Sequence, residues 1–276
     1  MTASFSHRPD DRVYLCQVGP EVSCGACCGL YNVADPAPQA LEALLARRSR
    51  RFAEVPRTVD GIDAFQAEVM RTEDDARPFG NFHHCPFLGL IDRGQRVGCL
   101  LHPMASGNAG IDWRGLSYYG GMACRTYFCP STRNLPEHWL TAIRRSMDHW
   151  YLHGLILTEQ RLLTGFFEEL ERRLHRPIGE NDFAAQSRAA ALFRQFAGLK
   201  VNWPFRRKDA PGVCNYFFED GRYGRPAVSF TSCKNSWTPL AGIFRELDTA
   251  FASTTELRQA ERTVEDLLAQ IVVSLQ

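Results

Sequence analysis

The placement of the cysteines is the sequence feature that most restricts the fold. The chain of 276 residues contains ten cysteines, and eight of them precede residue 130. Three of these stand in the short stretch SCGACCG, at Cys24, Cys27 and Cys28. Gly25 follows Cys24 and Gly29 follows Cys28, and we expect both glycines to adopt the positive φ angles of a turn wrapped around an ion. Because thiolates bind zinc or iron when several converge, the first half of the chain predicts a metal site.

The rest of the composition is that of an ordinary globular protein. The net charge is +1, with 45% hydrophobic and 23% charged residues, which argues against broad electrostatic capture of nucleic acid or of an anionic membrane. The sequence has no secretory signal and no run of about 18 apolar residues, so we expect a cytoplasmic protein that does not enter a membrane. Reducing compartments disfavour structural disulfides, and clustered cysteines there usually bind metal or carry redox chemistry.

The character of the sequence changes near residue 134, and we predict two sections within one compact unit. Residues 1–133 are the cysteine-rich metal-binding section, which includes a helix over residues 35–52 with Asp35 as its N-cap. The arginine run RRSRR in this helix is interpreted as a solvated helix end. Residues 80–130 are rich in Gly, Pro, His and aromatic residues without apolar periodicity. We expect them to bury little apolar surface and to need a metal cross-link.

Residues 134–276 are the helical section. Apolar periodicity predicts amphipathic helices over residues 135–154, where Gly154 is the stop, and over residues 158–177, 181–198, 238–252 and 254–275. Aromatic and β-branched runs on either side of a Gly/Pro turn predict a β-hairpin near residues 212–233, which pairs Cys214 with Cys233. The predicted fold class is therefore mostly α, with an irregular Cys/Gly-rich metal-binding section and a small β-hairpin (α+β).

Several cysteine motifs follow one another in a specific order. CGACC begins at Cys24, CPFL begins at Cys85, GCLLHP contains Cys99, and CRTYFC runs from Cys124 to Cys129. This order resembles the YkgJ-like family of zinc- or iron-chelating proteins, whose CxxCxxCC motif precedes similar downstream motifs. The resemblance covers roughly residues 24–130 and says little about the helical section. It implies a set of metal ligands consisting of Cys24, Cys27, Cys28, Cys85, Cys99, Cys124 and Cys129.

The chain departs from the family pattern at two places. Glu21 stands where the first cysteine of the family would fall, so either this carboxylate or Cys16 takes its task. A longer insert follows GCLLHP, which leaves the role of His102 as a ligand open. Some relatives in the wider family are flagellin lysine methylases with an iron–sulfur cluster. The resemblance therefore implies that such a module can accompany an enzyme, and whether this chain is an enzyme stays open.

The residues are compatible with zinc and with an iron–sulfur cluster. A zinc ribbon usually has two CxxC pairs, whereas this chain has one, its other close pair being the wider CRTYFC. A [4Fe-4S] cluster takes one thiolate per iron, which gives the neighbours Cys27 and Cys28 separate targets. We therefore expect a protein that carries a cysteine-ligated [4Fe-4S] cluster in a redox or modification role. The alternatives are a Zn²⁺-binding structural or interaction protein and a cluster-dependent protein-modifying enzyme resembling a lysine methylase.

Several histidines are further candidates. His83 and His84 adjoin CPFL and are placed to hydrogen-bond thiolates or to act as a general base. His149 and His153 are interpreted as packing residues, because the glutamate of a metalloprotease helix is missing. The sequence contains no P-loop, G-x-S-x-G or G-x-G-x-x-G, so no catalytic residue or organic cofactor is assigned. The expected partner is the metal or cluster, with neither nucleic acid nor membrane, and any protein partner is unidentified.

Overall fold

A computed structural model describes residues 13–73, 76–80, 82–210, 212–214, 228–230 and 238–276. Within these ranges the chain is mostly helical with a small antiparallel sheet, which confirms the predicted α+β class. The helices are α1 (Pro38–Ala53), α2 (Val59–Thr72), α3 (Gly120–Thr126), α4 (Pro130–Asn134), α5 (Glu137–Ser146), α6 (Trp150–Leu157), α7 (Gln160–Leu174), α8 (Arg188–Asn202), α9 (Ala241–Glu246) and α10 (Thr254–Ser274). The strands are β1 (Leu88–Ile91), β2 (Arg96–Cys99), β3 (Ser229–Phe230) and β4 (Ala250–Phe251). Short 3-10 turns lie at Ala26–Cys28, Asp92–Gly94 and Arg114–Leu116.

The carboxyl-terminal helices form a core of their own, as their apolar periodicity predicts. Phe166 of α7 lies against Phe193 and Phe196 of α8, with ring centroids 5.0 and 4.4 Å apart. All three side chains are fully buried, and each burial contributes about 2 kcal/mol. Ser187 and Ser253 cap α8 and α10 by accepting hydrogen bonds from backbone amides, which satisfies donors that a helix start leaves unpaired.

A second core lies between α1, α2 and the hairpin formed by β1 and β2. Phe52 of α1 meets Phe65 of α2 at 5.0 Å, and Phe65 meets Phe87 before β1 at 5.9 Å. Phe87, Val97 and Leu101 are all completely buried. The expectation that residues 80–130 bury little apolar surface is therefore wrong for the hairpin. Each of its strands has four residues, which is too short for a periodic pattern to stand out.

The predicted helix over residues 135–154 is broken into α5 and α6. The chain is extended at Met147, and His149 caps α6 by accepting a hydrogen bond on Nδ1 from the amide of Tyr151 over 3.2 Å. Gly154 lies inside α6 and does not end it, so that prediction is wrong. A Cβ at this glycine would lie 2.5 Å from the hydroxyl oxygen of Tyr31, so the position requires glycine.

Helix α6 connects the two cores. Trp150 and Leu155 pack in the amino-terminal core, whereas Leu15 and Val22 from the start of the chain pack in the helical core. His153 is fully buried and its Nε2 donates to the carbonyl oxygen of Leu15 over 2.8 Å, so it is a packing residue. Each of the two sections on either side of residue 133 therefore contributes residues to the core of the other section.

The predicted hairpin near residues 212–233 lies largely outside the described residues, as does Cys233. In the described part, β3 pairs in parallel with β4, with Ser229 opposite Ala250. Among the helices of the described residues, none has the length and apolar composition that crossing a membrane requires.

Candidate metal centre

All eight cysteines that precede residue 130 line a single cavity of about 1600 Å³. The cavity is bordered by the start of the chain, the β1–β2 hairpin and the segment around α3 and α4. Every cysteine in the described ranges is a free thiol. The structure thus brings together the seven predicted ligands and adds Cys16 to them: Cys16, Cys24, Cys27, Cys28, Cys85, Cys99, Cys124 and Cys129.

A small antiparallel bridge places Cys16 beside the CxxC motif. Gln17 pairs with Ser23, and the amide of Cys24 donates to the carbonyl oxygen of Cys16 over 2.9 Å. Ser23 is fully buried and its hydroxyl donates to the carbonyl oxygen of Val97 over 2.7 Å. These bonds fix the start of the motif against strand β2.

Cys27 and Cys28 lie on the 3-10 turn Ala26–Cys28, between the two glycines. Gly29 has φ +80°, as expected, and a Cβ there would lie 2.0 Å from the carbonyl oxygen of His83. Gly25 has φ −121°, so the expectation of a positive φ is wrong at that position. Gly25 instead allows close packing, because a Cβ there would lie 3.1 Å from the side chain of Val97 and 3.2 Å from that of Leu88.

The downstream cysteines are placed by separate local structures. Cys99 is the last residue of β2 and pairs with Leu88, which follows Cys85 by three residues. Cys124 lies in α3, where its Sγ is 3.0 Å from the hydroxyl oxygen of Ser117. Cys129 is the N-cap of α4, and its Sγ is 3.4 Å from the hydroxyl oxygen of Thr132. The sequence carries no signal that singles out Ser117.

Four of the thiols share one hydrogen-bonding pattern. In each, a backbone N–H two residues later donates to Sγ and so stabilises the negatively charged thiolate. Such bonds to cysteine sulfur are among the levers by which proteins tune metal–thiolate sites. The donor and acceptor pairs are Ala26 to Cys24, Phe87 to Cys85, Leu101 to Cys99 and Ser131 to Cys129.

Burial nevertheless keeps most of these thiols protonated. It raises the pKa of Cys85 to about 11 and that of Cys99 to about 12, and it raises the pKa of Cys24 well above its usual value. The pKa of Cys27 is lowered, chiefly because Cys28 donates a hydrogen bond to it. A bound cation would stabilise the deprotonated form of the remaining thiols. Metal binding would therefore release their protons.

Arginines supply positive charge around the thiols. Arg114 lines the cavity and its guanidinium holds Asp112 through two hydrogen bonds of 2.9 and 2.8 Å, which lower the pKa of Asp112 to about 2. Arg48, within RRSRR, is only 3% exposed and donates to the carbonyl oxygen of Cys85 over 3.0 Å. The interpretation of RRSRR as a solvated helix end is therefore wrong for Arg48, which an ion pair with Glu73 holds inside.

The histidine and glutamate candidates lie at different places. His83 stacks on Tyr118 at 4.9 Å, and neither of its buried ring nitrogens has a hydrogen-bond partner in the described part of the chain. His84 donates from Nδ1 to the carbonyl oxygen of Gly29 over 2.7 Å, and burial lowers its pKa to about 3. His102 lines the cavity, whereas Glu21 is exposed outside it. Cys16, and not Glu21, therefore faces the other thiols.

The described thiols do not form a ready site for one metal ion. Across residues 13–73, 76–80, 82–210, 212–214, 228–230 and 238–276, no three Cys, His, Asp or Glu side chains meet closely enough to hold a single ion. The chain matches no family model, no curated protein and no solved structure. The arguments about its chemistry therefore rest on the residues around this cavity.

Proposed function

We propose that this chain is a metal-binding protein that carries a cysteine-ligated [4Fe-4S] cluster in the cavity lined by its amino-terminal cysteines. The observation that carries the proposal is the convergence of eight free thiols from five separate segments on one cavity. Such convergence is hard to explain by packing alone, because small buried hydrophobes do not need to face a common space. When bound, a cluster of this kind supplies one-electron transfer or a site for activating a substrate.

The number of thiols favours a cluster over a single zinc ion. A tetrahedral zinc site takes four thiolates, whereas eight cysteines line the cavity. In a [4Fe-4S] cluster each thiolate binds a different iron, which gives neighbouring cysteines separate targets. The surrounding arginines, Arg114 among them, offset the negative charge that several thiolates bring.

The test is to purify the protein without oxygen and to measure iron, zinc, acid-labile sulfide and the visible spectrum. We expect a brown protein that absorbs near 400 nm and contains iron and sulfide in equal amounts. Cys214→Ser is the matched control, because Cys214 is a buried cysteine whose Sγ lies 2.8 Å from the hydroxyl oxygen of Thr158 and is not part of the cavity wall. This variant should keep the colour. A colourless protein that contains zinc would contradict the proposal and support the structural zinc alternative.

A further inference from the structure

Building on the proposed cluster chemistry, we infer that the eight cavity cysteines form two four-thiol sites, so that the chain holds two clusters. The first thiol set is Cys16, Cys24, Cys27 and Cys129. The second thiol set is Cys28, Cys85, Cys99 and Cys124. Each set supplies the four thiolates that one [4Fe-4S] cluster takes.

Main-chain and ring contacts bring Cys129 to the segment of Cys16 and Cys24, and Cys27 lies on the 3-10 turn that follows Cys24. The amide of Cys24 donates to the carbonyl oxygen of Cys16 over 2.9 Å. Two residues before Cys16, the ring of Tyr14 packs edge-on against Phe128, with centroids 6.0 Å apart. Phe128 directly precedes Cys129, so this contact brings the start of α4 to the start of the chain.

A different group of contacts holds the second set together. The amide of Cys85 donates to the carbonyl oxygen of Cys28 over 2.8 Å. Cys99 is the β-partner of Leu88, and the amide of Leu88 donates back to the carbonyl oxygen of Cys85 over 3.2 Å.

Cys124 reaches this second set through the insert that precedes it. The amide of Trp113 donates to the carbonyl oxygen of Leu101 over 3.1 Å, which fixes the insert beside the end of β2. The next residue, Arg114, donates to the carbonyl oxygen of Cys124 over 3.5 Å. Cys124 is thereby held near Cys99.

The two sets meet at the adjacent residues Cys27 and Cys28 of the 3-10 turn Ala26–Cys28. Two clusters bound to the adjacent residues Cys27 and Cys28 would lie close enough to exchange electrons.

The test compares double variants within one set with double variants across the sets. After anaerobic reconstitution, the wild-type chain should contain about eight irons and about eight sulfides. The single variant Cys16→Ser and the within-set double variant Cys16→Ser/Cys129→Ser should both retain about four irons, because each destroys the same site. The cross-set double variant Cys16→Ser/Cys99→Ser should retain almost none. The surviving cluster shows that a variant is folded, and Cys214→Ser should keep the full content.

Electron paramagnetic resonance gives an independent readout. The fully reduced wild type should show a spectrum broadened by interaction between two clusters, and Cys16→Ser should show the narrower spectrum of one. Saturation of the wild type at about four irons, with no loss in Cys16→Ser, would overturn the two-site inference and leave the proposed function intact. Absence of both iron and sulfide from the wild type would instead overturn the proposed function itself.

Discussion

The backbone amide of Cys85 donates a hydrogen bond to the carbonyl oxygen of Cys28 over 2.8 Å. This bond joins the opening cysteine motif to the segment that leads into the β1–β2 hairpin. It joins main-chain atoms only, and the neighbouring Gly29 accepts a further hydrogen bond from His84 over 2.7 Å. Main-chain hydrogen bonds therefore align the cysteines of the two segments, and such alignment lowers the ordering cost of binding an ion.

Substitution of Gly29 should disrupt this alignment. In Gly29→Ala the new Cβ would lie 2.0 Å from the carbonyl oxygen of His83, and φ is +80°. Strain at a left-handed position costs about 1–3 kcal/mol, and the backbone clash adds to it. We expect a clear fall in the free energy of unfolding and in bound iron, measured by urea denaturation and metal analysis. Gly110→Ala is the matched control, since Gly110 also has φ +80° but nothing lies within 4 Å of a Cβ there.

Removal of metal should expose one segment to protease before the others. Neither the turn Arg114–Leu116 nor α3 contains a buried residue. In the proposed cluster site, thiolate–metal bonds at Cys124 and Cys129 would therefore be their main anchors. After chelation, trypsin should cut first after Arg114 or Arg125. The measurement is the mass of the first fragments with and without metal, and initial cleavage within the β1–β2 hairpin would contradict it.

The nearby stretch SGNAG should resist proteolysis after the same removal of metal. Asn108 is 1% exposed and donates from Nδ2 to the carbonyl oxygens of Leu100 and His102 over 2.8 and 2.7 Å. Arg57 donates from Nε to the side-chain oxygen of Asn108 over 2.8 Å. These bonds fix the stretch to the residues after β2 and to Arg57, and none of them involves a cysteine. Thermolysin digestion of Asn108→Ala should cleave this stretch readily, whereas the unaltered chain should stay intact there.

Sequence reasoning was most successful where one helix buries one face. Helix α7 is predicted from an apolar repeat over several turns, and the structure buries that stripe at Leu162, Phe166 and Leu170. Helix α2 and the β1–β2 hairpin were not predicted from the sequence. The tight turn of this hairpin has positive φ at Asp92, Arg93 and Gly94. Its strands are too short, and too buried on both faces, to show a periodic apolar pattern. At the break, Met147 is extended and its side chain is buried in the helical core, a tertiary contact that the local pattern does not reveal.

At the candidate site, too, local motifs were informative and long-range contacts could not be predicted. The order of the cysteine motifs, through its resemblance to the family pattern, singled out seven of the eight cysteines that line the cavity. It could not place Cys16, whose position depends on the bridge between Gln17 and Ser23. It could not place Arg48 either, because a long-range ion pair with Glu73 draws that side chain inward.

Cys214 and Cys233 should not affect the metal. Cys233 lies outside the described residues, and Cys214 is 1% exposed with its Sγ 2.8 Å from the hydroxyl oxygen of Thr158. Serine can make the same hydrogen bond, so Cys214→Ser/Cys233→Ser should keep its iron within error and lose only modest stability. Loss of iron from this double variant would mean that the second half of the chain contributes a ligand.

The stability of the helical core should depend on pH through Glu246. This side chain is 3% exposed, and burial together with the charge of Glu159 raises its pKa from 4.5 to about 7, although Lys200 and Arg161 act in the opposite direction. A carboxyl with a raised folded pKa holds its proton more tightly in the native state than in the unfolded state. Its stabilising contribution is therefore fully present below the unfolded pKa and is lost as pH rises through about 7.

The matched variant is Glu246→Gln, which keeps the shape of the side chain but cannot ionise. Between about pH 5 and about pH 8 the unaltered chain should lose up to about 3 kcal/mol of unfolding free energy relative to this variant. Urea denaturation of both proteins across that range measures the difference directly. Contributions from the cysteines and histidines cancel in this difference, because both proteins contain the same ones. A difference that stays constant with pH would show that Glu246 is ionised throughout, with the buried ammonium of Lys200, 3.3 Å from Glu159, stabilising both carboxylates at once.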